Sequence, residues 1–221
     1  MQVTSTSYRA YALDLWGFGD TAHNTLKYTL DEQVKLIDEF MNEMGIGKIA
    51  IVGHGLGALV GMKFAARYKN VDRVMAINCP INYDAVNARL RTAPPQELTD
   101  WLSSRTPESA TALSDAPKAD AKAITESIVG LQAENPFTIF KDLNIPCLLV
   151  YGDKDQAIKI PGENEAVSTF THQVILEDSG HFPMVDETIK FNRLLTDFLA
   201  LDSGASPSEL QMKEEWKRRV R

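Results

Sequence analysis

The chain has 221 residues, a length that suits one domain with an inserted segment, and its 30 acidic and 23 basic side chains give a formal net charge of -7. This acidic balance argues against a nucleic-acid-binding protein, because phosphate neutralisation requires a basic face. No apolar stretch is long enough to span a membrane and Met1 to Ser7 is not a signal peptide, so we expect a cytoplasmic protein without a membrane partner.

The first part of the chain predicts a strand, a loop and a helix. Tyr8 to Leu13 alternates weakly between apolar and polar residues, as in a strand, and the closely spaced glycines of Asp14 to Thr21 indicate a bent loop. Thr29 and Glu32 then form a capping box, which predicts the start of a helix that ends at Gly45. The apolar residues of this helix recur at spacings of three and four: Leu30, Val34, Ile37, Met41 and Met44.

A short apolar run followed by alternating glycines is the most informative stretch of the chain. Ile49 to Val52 is rich in β-branched residues and predicts a strand buried on both faces. The residues that follow it are Gly53, His54, Gly55, Leu56 and Gly57, and an apolar helical pattern comes directly after them. A strand, a glycine turn and a helix in this order place Gly55 at a sharp, exposed corner.

Three further strands and a long helix complete the pattern. The strands are predicted from short apolar runs at Arg73 to Ile77, Ile145 to Tyr151 and Gln173 to Leu176. Apolar residues on one side predict a helix from about Glu187 to Leu201. Because strands and helices alternate, we predict an α/β fold with a mostly parallel sheet and helices on both faces.

Residues 80–137 differ from their surroundings, since prolines and small residues separate short helical stretches. We predict that they form a small helical cap inserted into a core of residues 1–79 and 138–201, with a linker and a terminal helix at 202–221. The cap helices are predicted at Glu97 to Leu102 and Lys122 to Leu131. They would direct four apolar side chains towards a cleft or towards each other: Trp101, Leu102, Ile124 and Ile128.

Four motifs in this chain order resemble the α/β-hydrolase superfamily, in particular its capped esterases, lactonases and C–C hydrolases. They are Asp14 to Thr21, Val52 to Ala58, Gly152 to Asp155, and Gly180 to Pro183. In that family the glycine turn is the nucleophile elbow G-x-S-x-G, and Gly55 stands here in place of the serine. The resemblance implies a serine-type hydrolase lineage that acts on small carboxylic esters, lactones or similar acyl compounds and uses no cofactor.

The same resemblance implies roles for individual residues. In such enzymes the acid and the base follow the nucleophile along the chain, which assigns His181 as the base and Asp155 as the acid. Asp153, two residues before Asp155, is an alternative acid. The N–H of Leu56 would be an oxyanion donor, and Trp101 is a candidate substrate-binding residue.

Two departures from the family affect the expected activity. Gly55 has no side chain, so the attacking oxygen is missing and we expect an impaired or inactive enzyme. Nothing before Tyr8 encodes the strands that open the family's sheet, or the loop that donates a second oxyanion N–H. We therefore expect a sheet that is incomplete beside Tyr8 to Leu13, with self-association through its edge as a possible consequence.

Other interpretations of the glycine turn stay open at this point. The chain could be a natural pseudo-enzyme that binds a ligand, a fragment of a longer protein, or a deliberate serine-to-glycine variant. Gly53, Gly55 and Ala58 also match a dinucleotide-binding fingerprint, although Asn78 stands after the next strand, where an acidic residue would bind the ribose. His54 is expected to be structural, or else to act as a base beside Gly55.

Overall fold

The computed structural model describes residues 5–103, 110–133, 136, 138, 142–162, 165 and 168–210. The strands in this part are β1 (Ile49–His54), β2 (Val71–Ile77), β3 (Cys147–Gly152) and β4 (Thr171–Leu176). The α-helices are α1 (Leu30–Glu43), α2 (Leu56–Arg67), α3 (Pro95–Leu102), α4 (Ala110–Asp115), α5 (Ala121–Ala133), α6 (Pro183–Asp186) and α7 (Thr188–Ala200). Short 3-10 helices lie at Thr25–Lys27, Tyr83–Ala85, Ala88–Arg91, Ala116–Lys118 and Pro207–Glu209.

The strands form one parallel sheet in the spatial order β1-β2-β3-β4. This confirms the predicted α/β fold. It also confirms the strands predicted at Ile49 to Val52, Arg73 to Ile77, Ile145 to Tyr151 and Gln173 to Leu176. Because parallel strands run in one direction, the loops that follow them meet at one edge of the sheet, here called the carboxyl edge. Gly55, Asn78, Asp155 and His181 all lie in loops or turns at this edge.

Helices cover the sheet on both faces. Successive side chains of β2 alternate between the two layers, as strand geometry requires. Val74 and Ala76 belong to the core that α1 and α2 complete, whereas Met75 and Ile77 belong to the core beside α7. The sheet is therefore the middle layer of a three-layer structure, as the alternation of strands and helices predicted.

β1 is an outermost strand of the described sheet. The prediction that β1 is buried on both faces is wrong. Among the described residues β1 pairs with β2 alone. Ile51 packs towards α2, close to Gly61, but Val52 on the opposite face is 45% exposed. Val52 shares that face with its register partner Met75, and the core beside α7 reaches β2, β3 and β4 without including β1. An apolar run predicts a strand but does not report how far the neighbouring helical layer extends.

Tyr8 to Leu13 is not a strand, contrary to the prediction. Side-chain contacts hold the segment instead: the Tyr8 hydroxyl donates to the backbone carbonyl of Leu199 over 3.2 Å, and the Tyr11 ring meets Phe40 edge to face. A weakly alternating segment becomes a strand only where a neighbouring strand satisfies its backbone groups. In the described structure no strand borders this segment.

The boundaries predicted for α1 are confirmed. Thr29 Oγ1 accepts a hydrogen bond from the N–H of Glu32 over 3.3 Å, and Gly45 follows the helix with a φ of +63°. Gln33 of α1 is fully buried and binds both the N–H and the carbonyl of Trp16, over 2.8 and 3.0 Å. Through this amide, α1 holds the Asp14 to Thr21 loop in place.

The helices predicted at Glu97 to Leu102 and Lys122 to Leu131 are confirmed as parts of α3 and α5. Along the chain, these helices and α4 lie between β2 and β3. The division of the chain into core and cap stays a prediction. Ser206 caps the 3-10 helix Pro207–Glu209, while the rest of the predicted terminal helix, 211–221, lies outside the described residues. None of the described helices is both long and apolar enough to cross a membrane.

Candidate active site

The turn after β1 holds Gly55 in a backbone conformation that side-chain-bearing residues rarely adopt. Its φ is +52° and its ψ is -115°, and its N–H donates to the carbonyl of Ile77 over 2.8 Å. Gly53 allows the strand and the helix to approach each other, since a Cβ at this position would lie 2.6 Å from the Cα of Ala58. The glycine-rich segment therefore forms the sharp corner between strand and helix that the sequence predicted.

His181 lies opposite Gly55 across the carboxyl edge. A Cβ added to Gly55 would lie 3.9 Å from Nε2 of His181, and no other described atom beyond the adjacent chain would come within 4 Å of it. The turn therefore leaves open space between Gly55 and Nε2 of His181. A side chain at position 55 would point at this nitrogen.

Asp155 holds the other nitrogen of the same ring. Its Oδ2 lies 2.9 Å from Nδ1 of His181, while its Oδ1 accepts hydrogen bonds from the N–H groups of Ala157 and Ile158, over 2.7 and 3.4 Å. The Asp155 side chain is fully buried, so the carboxylate has one fixed orientation. An Nδ1–H that donates to Asp155 leaves the lone pair of Nε2 directed at Gly55, which is the tautomer a general base requires.

Of the two candidate acids, Asp155 is the one in contact with His181. Asp153 is exposed, and its Oδ1 accepts a hydrogen bond from the N–H of Ser179 over 3.2 Å. Asp153 therefore joins the turn after β3 to the turn after β4. The structure brings together Gly55, Asp155 and His181, the residues assigned to the nucleophile, acid and base positions.

Two side chains hold the backbone of His181. His54 Nε2 lies 2.6 Å from the carbonyl oxygen of His181, and the amide of Asn78 donates to the same oxygen over 2.8 Å. Burial and the neighbouring His181 ring lower the pKa of His54 to about 3, so His54 is neutral near pH 7 and donates its Nε2–H. Because that nitrogen is engaged with a carbonyl, the geometry favours the structural role for His54.

Asn78 is a site residue whose role the sequence analysis missed. It is fully buried, its φ is +44°, and its Oδ1 accepts the N–H of Gly152 over 3.1 Å. The available signal was an asparagine directly after a buried strand, because asparagine tolerates this backbone conformation and offers both a donor and an acceptor. Since both ends of its amide are occupied within the protein, Asn78 does not act as the ribose acceptor of a dinucleotide site.

A cavity of about 430 Å³ opens beside Gly55 and His181. Most of its wall is apolar, and three of the four side chains predicted to face a cleft, Leu102, Ile124 and Ile128, line it. Further apolar lining residues include Leu56, Leu59, Leu98, Leu131 and Phe182. Such a cavity fits the apolar part of a small molecule and places it next to His181.

The charged groups of the cavity wall have one sign. Asp14 and Asp115 line it, and no lysine or arginine does so among the described residues. Asp14 also has a local role, because its Oδ2 accepts a hydrogen bond from the N–H of Asp20 over 3.1 Å. Lys118 pairs with Asp115 over 3.2 Å but lies outside the wall.

Trp101 does not line this cavity, and its assignment as a substrate-binding residue stays a prediction. Its Nε1–H donates to the side chain of Gln156 over 3.0 Å, and the guanidinium of Arg89 lies 4.9 Å from the ring centroid. Leu56, by contrast, lines the cavity. Its N–H belongs to the first turn of α2, where backbone amides have no partner inside the helix, so it can bind a developing oxyanion.

A parallel sheet whose carboxyl edge carries a strained glycine corner and a His-Asp pair is the arrangement of the α/β-hydrolase fold. The model of the alpha/beta hydrolase family matches residues 3–193, and the chain belongs to this family. This confirms the resemblance seen in the sequence. It also replaces the dinucleotide-binding interpretation of the glycine turn.

Several known proteins are similar to the chain. Lipase 3 of Moraxella sp. (strain TA144) is 26% identical over 209 residues, which cover 81% of this chain and 65% of the lipase. The 2-hydroxy-6-oxo-6-(2'-aminophenyl)hexa-2,4-dienoic acid hydrolase of Metapseudomonas resinovorans is 34% identical over 61 residues, 27% of this chain and 21% of that hydrolase. The chain therefore spans less than two thirds of either relative.

A solved structure shares the fold. The esterase EaEST from Exiguobacterium antarcticum superposes with a TM-score of 0.75 at 17% identity, over 90% of this chain and 84% of the esterase. At this level of identity the similarity shows a common fold. Together with the family match, it identifies the chain as an α/β hydrolase with lipase- and esterase-like relatives.

Proposed function

We propose that the chain binds small, uncharged carboxylic esters or lactones beside His181 and hydrolyses them far more slowly than an intact serine hydrolase does. Its family and its lipase- and esterase-like relatives support the acyl substrate class. The glycine at the nucleophile position supports the low rate.

One observation carries this proposal: the His181 ring is held for catalysis opposite a corner that has no nucleophile. Nδ1 is 2.9 Å from Asp155, and Nε2 is 3.9 Å from the place of a Cβ on Gly55. Removal of the serine from a comparable triad lowers turnover about a million-fold, which corresponds to about 8 kcal/mol of barrier. The residual catalysis from binding and oxyanion contacts is about a thousand-fold over water.

The charge of the cavity supports uncharged substrates. Asp14 and Asp115 disfavour an anion in the cavity, and Lys118, which pairs with Asp115 and Asp20, lies outside the wall. One relative is named for a dienoic acid, which is a carboxylate near neutral pH. Without a basic partner, such a substrate would lose its hydration in an apolar cavity and gain no ion pair, so an ester or a lactone fits better.

Ligand binding without turnover is the second candidate function. Gly55 favours it, because a protein that retains the cavity and lacks the attacking oxygen can bind an acyl compound unchanged. The two candidates share the ligand and differ only in the rate of hydrolysis. Titration calorimetry with a neutral ester, combined with product analysis over hours, separates them.

Restoration of the serine tests the proposal. We expect Gly55→Ser to place a hydroxyl within reach of His181 Nε2, so that a fluorophosphonate labels residue 55, as located by peptide mass spectrometry. The parent chain provides no elbow residue to label. Adding His181→Ala to the serine variant should abolish most of the labelling, because the hydroxyl then has no base.

Two results would contradict the proposal. The first is a folded Gly55→Ser variant that resists the fluorophosphonate as completely as the parent does. The second is a parent chain that neither binds nor hydrolyses neutral esters in the millimolar range. Circular dichroism and a thermal melt of each variant show whether a negative result comes from loss of the fold.

A further inference from the structure

Gly55 leaves a space the size of a serine side chain next to a base that is still oriented. Within 4 Å of the place of a Cβ at position 55, the described structure offers only Nε2 of His181 beyond the adjacent chain. Both residues line the cavity, so this space is continuous with the place where an acyl group would bind. A small molecule that can donate a hydrogen bond fits between Gly55 and His181.

The His181 ring keeps the orientation that a base needs even though position 55 has no side chain. Asp155 binds Nδ1 over 2.9 Å, and the backbone of His181 is held by Asn78 over 2.8 Å and by His54 over 2.6 Å. None of these contacts involves residue 55. The lone pair of Nε2 therefore points into the space that the serine hydroxyl would occupy.

We propose that a water molecule in the space beside Gly55 is the nucleophile of this protein, with His181 as its general base. This inference rests on the proposed ester or lactone ligand and adds the mechanism of its slow hydrolysis. The protein would thus hydrolyse esters in a single addition and elimination, without an acyl-enzyme.

The reaction balances with water as the only co-reactant. The water oxygen forms a bond to the carbonyl carbon while Nε2 of His181 takes one of its protons, and the carbonyl electron pair moves to the oxygen near the N–H of Leu56. When this pair returns, the bond to the alkoxide oxygen breaks, and His181 gives its proton to the departing oxygen. The products are a carboxylic acid and an alcohol, or one hydroxy acid from a lactone.

General-base catalysis by a positioned side chain contributes roughly a hundred- to ten-thousand-fold. With p-nitrophenyl butyrate as the neutral ester, we expect His181→Ala to lower the rate of the parent chain by about a hundred-fold or more. Intact mass spectrometry during turnover should detect no acyl adduct on the parent. The Gly55→Ser variant is the positive control, because its serine should carry the butyryl group.

Gly55→Ala tests the space directly. Glycine has no functional group, so this variant removes no reacting atom and places a methyl group 3.9 Å from Nε2, which leaves too little room for a water hydrogen-bonded to that nitrogen. The positive φ of Gly55 also strains the variant, so its fold is checked by circular dichroism before rates are compared. We expect the hydrolysis rate to fall at least ten-fold. Gly47→Ala adds the same methyl group into open space away from the turn and the cavity wall, and should leave the rate unchanged.

Methanol provides a second test that does not require Gly55→Ala to fold. It has the same heavy atoms as a serine side chain, so the parent chain should convert p-nitrophenyl butyrate partly into methyl butyrate, in a reaction lost in His181→Ala. The proposal is overturned if a folded Gly55→Ala variant retains the parent rate, if His181→Ala hydrolyses as fast as the parent, or if methanol yields no methyl butyrate. If an ester still binds tightly in any of these cases, only the water mechanism is refuted and the proposed ligand class is unaffected. If no ester binds and Gly55→Ser is not labelled by the fluorophosphonate, the proposed function itself is refuted.

Discussion

The side-chain amide of Asn78 donates a hydrogen bond to the backbone carbonyl of His181 over 2.8 Å. Through this bond and its contact with the N–H of Gly152, Asn78 connects the carboxyl ends of β2, β3 and β4. The position of the His181 imidazole therefore depends on a residue that cannot itself take part in acid-base chemistry.

We expect Asn78→Ala to destabilise the protein by about 2–4 kcal/mol, because it leaves the buried N–H of Gly152 without an acceptor. The φ of +44° at this position adds to the loss, since alanine adopts it less readily than asparagine. Urea unfolding measures the effect. Asn42→Ala, at an exposed position of α1, is the control and should change the free energy of unfolding by less than about 0.5 kcal/mol. Equal effects of the two substitutions would contradict the role assigned to Asn78.

His54 should make the stability depend on pH. Its pKa is about 3 in the folded protein and near 6.5 when unfolded, so the unfolded chain binds a proton that the folded chain rejects between these values. The contribution of neutral His54 is therefore complete above about pH 6.5 and decreases as the pH falls towards 3. Between pH 7.5 and 5 we expect a loss of about 2 kcal/mol that is absent in His54→Gln, whose amide can still donate to His181. Parallel pH dependences in the two proteins would show that His54 is not the responsible group.

The two glycines that flank the turn should respond differently to the same added methyl group. In Gly53→Ala the Cβ would meet the backbone of Gly57 and lie 2.6 Å from the Cα of Ala58, so we expect a loss of about 3 kcal/mol. Gly57→Ala meets nothing within 4 Å, and alanine favours the helix by about 0.5–1 kcal/mol. Thermal melts of both variants check this difference. A Gly53→Ala variant as stable as the parent would mean that strand and helix do not approach as closely as described.

The cavity should discriminate against anions. We expect methyl hexanoate to bind at least ten-fold more tightly than hexanoate at pH 8, since the wall contains two carboxylates and no lysine or arginine among its described residues. We expect Asp115→Asn to lower the ratio of the ester affinity to the hexanoate affinity by a few-fold. The effect is small because the negative charge that the substitution removes is itself partly screened by solvent. Asp38→Asn on α1, outside the wall, should leave the ratio unchanged. Calorimetric titration decides the matter, and preferential binding of hexanoate would reverse the assigned substrate class.

Among the described residues β1 pairs with β2 alone, and we expect its other side to cause self-association. A strand with unpaired backbone groups can pair with a second chain, and a charged residue on the edge opposes this pairing. We expect concentration-dependent dimers in sedimentation velocity at tens of micromolar, weakened by Val52→Lys. Val129→Lys is the control, because Val129 lies on α5 and is 49% exposed, close to the 45% of Val52. A parent chain that stays monomeric, or an equal effect of both lysines, would refute association through β1.

Local patterns in the sequence determined most of the fold. Thr29, the apolar spacing of α1 and Gly45 predicted that helix because caps and periodicity act within a few residues. Gly53 and Gly55 predicted the corner after β1 for the same reason, since only residues without a Cβ fit such a close approach or such a φ. The order of strands and helices was sufficient to predict the parallel sheet, because short crossover connections allow few alternatives.

Only the tertiary structure decided the features that depend on distant neighbours. Tyr8 to Leu13 resembles a strand, but no strand of the described structure lies beside it. Val52 is apolar but lies outside the core beside α7. The sequence favoured Asp155 over Asp153 but could not decide between them, because both lie in one turn, and only the structure shows which one contacts His181. The sequence also predicted that Trp101 faces a cleft or the neighbouring cap residues, and the structure shows that it does not line the cavity beside His181. The contact between Asn78 and His181 joins residues 103 positions apart. Hydrogen bonds and packing of this kind are set by which elements meet in space, and no local pattern records that.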